Sequence, residues 1–120
     1  MDWEVEYTEE FEGWWNSLSE IAQEAVNTKV VLLQQKGPSL PRPHSDVIVT
    51  SEHSNLKELI VQCQGSPLRV LYAFDPNRCA QLLLGGDKTG DDSWYDKHVP
   101  IADKLFSRHL AQLKKIGEIS

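Results

Sequence analysis

A chain of 120 residues with 40% apolar and 25% charged residues is an ordered globular protein with one core, too short for two comfortable domains. No apolar run reaches membrane-spanning length, and the opening MDWEVEYTEE is acidic where a secretory signal is basic, which predicts a cytoplasmic protein without a membrane partner. The net charge of −6 is unevenly placed: residues 1–28 hold eight Asp and Glu and no Lys or Arg, so the broad basic face of a DNA-binding protein is not expected.

In chain order, WEVEY alternates Trp3, Val5 and Tyr7 against Glu4 and Glu6 and predicts a short strand with one wet face. Thr8 suits a helix N-cap, with Glu9 and Glu10 placed against the positive helix end. Phe11, Trp14, Trp15 and Leu18 then follow at amphipathic helical spacing, which places the paired tryptophans in the core rather than on a base-stacking platform. SLSE reads as a capping box, Ser17 capping and Glu20 reaching back, that opens a second helix with Ile21, Ala22, Ala25, Val26, Val30 and Leu33 as its buried stripe. Gly37 and Pro38 close that helix, and the two helices should form a hairpin packed on a sheet.

Residues 38–55 carry three prolines and many small polar residues, a long loop with a brief strand at VIV, and such loops are often functional. Three strand-like stretches follow, LKELIVQC, LRVLYAFD and AQLLLGGD, joined by the turn-like QGSP and DPNR and therefore antiparallel neighbours. The third is nearly all apolar, as a strand covered on both faces would be. In the first, Leu59, Val61 and Cys63 share one face, while Glu58, Ile60, Gln62 and Gln64 share the other, which is polar except for Ile60. Pro100 suits the first position of a last helix carrying Ala102, Leu105, Phe106, Leu110 and Leu113, with Lys114, Lys115 and Gly117 at its end. The order β-α-α-β-β-β-α makes a single α+β domain over residues 1–120, with a mainly antiparallel sheet, a helical hairpin and a C-terminal helix.

Cys63 and Cys79 have neither C-x-x-C nor histidine spacing and read as reduced thiols packed as small hydrophobes, so no zinc or other metal site is predicted. No P-loop, nucleophile elbow or H-E-x-x-H motif occurs. The segment GGDKTGDDSWYDKH, residues 85–98, instead places Lys88, Tyr95, Lys97 and His98 in a loop after the last strand. Arg69 lies on a neighbouring strand, where it either snorkels to solvent or lines a site for an anion. Cations with a hydroxyl and a histidine suit metal-free RNA cleavage, in which charge builds on a phosphorane and protons move to and from ribose oxygens.

The stretches NLKELIVQ, RVLYAFDPNRCAQLLLGGDKTG, WY and AD.LF..HL resemble the HigB-like toxins of the RelE/ParE superfamily, and the likeness runs from VEYTEEFEGWWNSL through LPRPHSD to the final helix. The resemblance implies a compact RelE-like fold and the toxin of a type II toxin–antitoxin system. Such a toxin is a metal-independent endoribonuclease that needs no cofactor and cuts mRNA, usually on the ribosome. A helix-turn-helix, HigA-like antitoxin would hold it inactive, and operator DNA would be bound only through that antitoxin. Carried onto this chain, the family's catalytic positions fall on Lys57, Arg69, Lys88, Tyr95 and His98, with Arg42, His44 and Lys97 as RNA or ribosome contacts. Related toxins typically read KELR where this chain reads KELI, so Ile60 replaces an arginine on the strand face expected to meet RNA, which implies an attenuated or inactive form. A ParE-type gyrase poison and a non-catalytic module that binds antitoxin and repressor DNA remain as alternatives on the same fold.

Overall fold

The computed structural model describes residues 2–119. Its elements are β1 (Val5–Tyr7), α1 (Glu9–Asn16), α2 (Glu20–Lys36), a short 3-10 turn (Gly37–Ser39), β2 (Ser45–Val47), β3 (Lys57–Cys63), β4 (Ser66–Phe74), β5 (Ala80–Asp87) and α3 (Trp94–Lys115). The strands form one sheet in the order β1-β5-β4-β3-β2, parallel only between β1 and β5. The α+β class, the helical hairpin and the C-terminal helix are those expected from the sequence. Among the described residues no helix is long and apolar enough to cross a membrane.

Local chemistry accounts for the element ends. Thr8 caps α1, its hydroxyl accepting the Phe11 N–H at 3.0 Å. The cap of α2 is Ser19, which accepts the Ala22 N–H at 3.2 Å, and not Ser17. Ser17 instead ends α1 and donates to the Trp14 carbonyl at 2.6 Å, because SLSE serves two helix ends separated by one tight turn. The brief strand sits two residues before VIV, at Ser45–Val47, where Ser45 pairs with Leu59 and its hydroxyl meets the buried Tyr72 hydroxyl at 2.5 Å. Gln64 and Gly65 both have positive φ, 50° and 83°, the backbone of a two-residue hairpin whose twist matches the flanking strands.

The largest departure is α3, which starts six residues before Pro100. Asp91 provides the start signal, its carboxylate accepting from the Ser93 N–H at 3.0 Å and its carbonyl from Trp94 N at 3.3 Å. Pro100 then lies within the helix, where its missing N–H leaves one carbonyl of the previous turn without a helical donor. Burial of Trp94, 2% exposed, outweighs that loss.

Two apolar layers sandwich the sheet. On one face Leu59, Val61, Val70, Tyr72 and Leu82 pack against Phe11, Val26 and Leu33 of the hairpin. On the other Leu71, Ala73 and Leu83 pack against Trp94, Ala102 and Phe106 of α3. Gly85 and Gly86 serve these two layers in turn. A Cβ on Gly85 would collide with the Trp14 ring, and one on Gly86 would stand 2.7 Å from the Trp94 indole. Both tryptophans thus fold onto backbone, and the one over Gly86 fixes where α3 begins.

Candidate functional site

Counting back along the hairpin from Gln64 and Gly65 pairs Ile60 with Arg69 and Glu58 with Leu71, so Glu58, Ile60 and Arg69 share the sheet face that carries α3. Gly86 is the partner of Arg69 on β5, and Trp94 lies over that glycine. Tyr95, the next residue, is thereby carried over β3 and β4.

There its hydroxyl donates to Glu58 Oε1 at 2.6 Å. The same carboxylate oxygen pairs with Arg69 Nε at 3.1 Å, and Arg69 Nε also lies 3.3 Å from the Tyr95 oxygen. Arg69 Nη1 donates to the Leu68 carbonyl at 2.9 Å, which holds the guanidinium flat along the strand. Lys88 Nζ stands 5.1 Å from the centre of the Tyr95 ring. The Glu58 and Arg69 side chains are 11% and 13% exposed, so the pair is shielded without being sealed. Burial, and next the bond to Glu58, push the Tyr95 hydroxyl above its ordinary range, with Arg69 pulling the other way. The phenol therefore keeps its proton at neutral pH.

The structure brings together Arg69, Lys88 and Tyr95 among the expected residues, with Ile60 half-buried opposite Arg69. Lys57 is not among them. It pairs with Tyr72 on the other sheet face and its Nζ donates to the Pro38 carbonyl at 2.9 Å, because strand side chains alternate and 57 and 60 differ by an odd step. Tyr95, Lys97 and His98 sit on the first turns of α3 and not in a loop. His98 stacks on Trp94, ring centres 4.4 Å apart, with Nδ1 2.7 Å from the Trp94 carbonyl, which turns Nε2 outward as the available nitrogen. Lys97 pairs with Asp91 at 3.2 Å, and the Ser93 hydroxyl first, then Lys97, hold the Asp91 carboxyl below its usual range. Arg42 pairs with Asp46 at 3.5 Å with its side chain 77% exposed. His44 Nδ1 lies 2.8 Å from Lys29 Nζ and accepts from it.

Glu58 is the residue that the sequence reading missed. Its parity put it on the polar face beside Ile60, but only the hairpin register shows that it lies diagonal to Arg69, within reach of a long side chain. The paired tryptophans divide as the structure allows. Trp14 packs on Gly85, and Trp15 lines an apolar groove of about 410 Å³ with Tyr7, Phe11 and Val30 on the hairpin side, away from Arg69.

Among the described residues, Glu6, Asp75 and Cys79 are the one group whose ligand atoms, all within 4.8 Å of one another, could hold a metal. Gln81 Nε2 already donates to Glu6 at 2.7 Å and to Asp75 at 3.3 Å, and His109 Nε2 meets Asp75 at 2.8 Å. Burial, then the charges of Glu6 and Asp75, push the Cys79 thiol up to about 12, so it stays protonated. This is a satisfied hydrogen-bond cluster that joins β1, the Asp75 turn and α3. Neither Cys63 nor Cys79 is in a disulfide.

A five-stranded, mostly antiparallel sheet with a helical hairpin on one face and a long helix on the other is the RelE-like α+β fold. A mutant of Escherichia coli toxin RelE in the free state superposes with a TM-score of 0.58 at 12% identity, over 78% of this chain and 92% of that one. A chain of the intact E. coli RelBE toxin–antitoxin complex gives 0.50 at 14% identity, over 70% and 94%. These likenesses carry the fold alone. The family itself comes from sequence: residues 13–107 match the family described as Phage derived protein Gp49-like (DUF891), and the chain belongs to it. Two Mycobacterium tuberculosis proteins named as toxins, HigB2 and HigB3, are 40% and 44% identical to it over 108 and 101 residues. The matches cover 88% and 83% of this chain, and 54% and 87% of those proteins, so it spans about half the length of HigB2. The chain is thus HigB-like in sequence and RelE-like in fold.

Proposed function

We propose that this protein is the toxin of a type II toxin–antitoxin pair and that it cleaves mRNA on the translating ribosome without a metal. The names of its relatives support the toxin reading, and the cluster of Glu58, Arg69, Tyr95 and Lys88 is the observation that supports the chemistry.

In this reading Glu58 takes the proton from a ribose 2′-hydroxyl as that oxygen attacks phosphorus. Arg69 and Lys88 hold the charge that gathers on the phosphorane, and Tyr95 or His98 returns a proton to the departing 5′-oxygen. The products are a 2′,3′-cyclic phosphate and a 5′-hydroxyl, and the proton count closes. A phenol that keeps its proton at neutral pH suits the donor role. Glu58 occupies Arg69 at rest, so the phosphate must displace that pairing, and Ile60 supplies no second guanidinium to help. Attenuation of the enzyme follows from both features. The partner that silences it is a helix-turn-helix, HigA-like antitoxin, through which the pair reaches operator DNA.

The same two features favour one second reading, a non-catalytic module that keeps antitoxin binding and has lost cleavage. Expression of the chain with mapping of mRNA 5′ ends separates the two. Cleavage sites that disappear with Arg69→Ala support the nuclease, whereas intact mRNA overturns it, and intact mRNA with collapsing DNA supercoiling points to a gyrase poison.

A further inference from the structure

The sheet face that carries α3 extends one strand beyond Glu58. Asp46 on β2 is the direct ladder partner of Glu58. Hydrogen bonds continue on both sides of the pair, from Ile60 N to the His44 carbonyl at 2.9 Å and from Ile48 N to the Leu56 carbonyl at 3.0 Å. Directly opposed residues of antiparallel strands point to one face, with Cβ atoms about 4.5–5.5 Å apart. Ile48, two residues on from Asp46, is buried in the α3 layer, as that face requires. Like charges so placed destabilise a sheet, and each carboxylate here has its own arginine. Glu58 turns to Arg69 on β4, while Asp46 Oδ2 lies 3.5 Å from Arg42 Nη1 and Asp46 Oδ1 accepts the Val47 N–H at 2.8 Å. Arg42, Asp46, Glu58 and Arg69 thus form a row of alternating charge across three elements of the fold. Its two ends differ. The Arg69 side chain is 13% exposed and also bonded to the Leu68 carbonyl, whereas that of Arg42 is 77% exposed and has no partner but Asp46 among the described residues.

We propose that Asp46 is a positioning residue that acts through Glu58: RNA draws Arg42 off Asp46, and the uncovered carboxylate makes Glu58 a stronger proton acceptor as substrate arrives. A loose, exposed ion pair contributes little, so a phosphate that offers Arg42 two oxygens displaces Asp46 readily. Asp46 then faces Glu58 without a counter-charge, and a like charge at that range disfavours the ionised carboxylate. The free chain keeps Glu58 committed to Arg69, and the loaded chain frees it to take a proton. The inference rests on the nuclease reading for the source of that proton, the ribose 2′-hydroxyl. The other groups facing Glu58 are Arg69 on β4, Tyr95 on α3 and Lys88 after β5, with Glu52, Asp96 and Lys104 around the hollow beyond Tyr95. Capture of Arg42 uncovers none of these, so its effect on Glu58 comes through Asp46.

The test follows the Glu58 side-chain carboxyl of the folded chain by carbon-13 NMR between about pH 4 and pH 8, which requires no cleavage. Arg42→Ala uncovers Asp46 permanently and should raise the pH at which Glu58 takes up its proton by about 0.5–1 unit. Adding Asp46→Asn to it should return that midpoint to the parent value. A 2′-deoxy oligonucleotide, which lacks the nucleophile, should raise the midpoint of the parent by a similar amount, and that of Asp46→Asn at most about half as far. On programmed ribosomes Asp46→Asn should lower kcat about three- to tenfold with KM within about twofold of the parent. A midpoint that Arg42→Ala or the oligonucleotide leaves in place, one that moves equally with Asp46 replaced, or a loss in Asp46→Asn confined to KM overturns the proposal. Midpoints that move as expected in a chain that leaves mRNA intact keep the coupling and overturn the nuclease, while cleaved mRNA with unmoved midpoints does the reverse.

Discussion

Glu58→Gln keeps the shape of the Arg69 cluster and removes its negative charge. At 3.1 Å and an effective dielectric near 20, the Glu58–Arg69 attraction is roughly 5 kcal/mol before desolvation is counted. Both side chains still touch solvent, so the net cost lies below the ~3–5 kcal/mol of a fully buried broken pair, at about 1–3 kcal/mol. For a chain of this length that is a fall in Tm of about 4–12 °C, read by thermal unfolding at pH 7. Tyr95 supplies a local readout. Glu58 raises its ionisation and Arg69 lowers it, so with glutamine present the phenol should titrate at lower pH, visible as tyrosinate absorbance. If Glu58 takes the 2′-hydroxyl proton, RNA cleavage falls by about 10²–10⁴. Cleavage within about threefold of the parent, together with the Tyr95 shift, would refute the proton-acceptor role. A rate that rises would recast Glu58 as a brake on Arg69.

Ile60→Arg should increase cleavage and growth arrest by at least about tenfold, since a preorganised donor at a developing oxyanion is worth about 10²–10³, and Arg69→Ala added to it should abolish the gain. Unchanged toxicity in Ile60→Arg would remove attenuation from the picture. Gly86→Ala should destabilise by about 1–3 kcal/mol through overpacking and lower cleavage further by displacing Trp94 and with it Tyr95. Full activity in a destabilised Gly86→Ala would show that Trp94 does not set the position of Tyr95. From neutral pH folding stability should be level to about pH 9 and then decline, because Cys79, raised from its ordinary 9.0 to about 12, loses its proton more easily unfolded than folded. Tyr72 and Tyr95, also raised, act in the same direction once pH passes 10.0. Urea unfolding against pH should show Cys79→Ser delaying the onset, and an identical onset would contradict the burial argument.

The sequence was most legible where one local rule acts alone. Alternation placed the strands, three-to-four spacing placed the helices, and Gly37 with Pro38 ended α2 as expected. It was least legible where two rules compete. Pro100 is a strong start signal, yet α3 begins at Trp94, because an indole that fits over a strand glycine outweighs one lost helical bond. SLSE carries two serines and both cap, at different helix ends. Half of the candidate site followed the same pattern. Arg69 and Ile60 share one face by parity, while Lys57, assigned by resemblance, lies on the other by that same parity. Glu58 needed the register, and the register was present in QG, the two-residue hairpin from which every cross-strand pair can be counted. The approach of Tyr95 was not readable from periodicity, because it depends on the Trp94–Gly86 packing between α3 and β5.

Incubation of the purified chain with mRNA on programmed ribosomes, followed by chemical identification of the new ends, tests the proposed chemistry most directly. Cleavage that leaves 2′,3′-cyclic phosphate and 5′-hydroxyl termini and vanishes in Arg69→Ala is the predicted result. RNA that stays intact with and without ribosomes, or cuts that require a metal and leave 3′-hydroxyl ends, would contradict it.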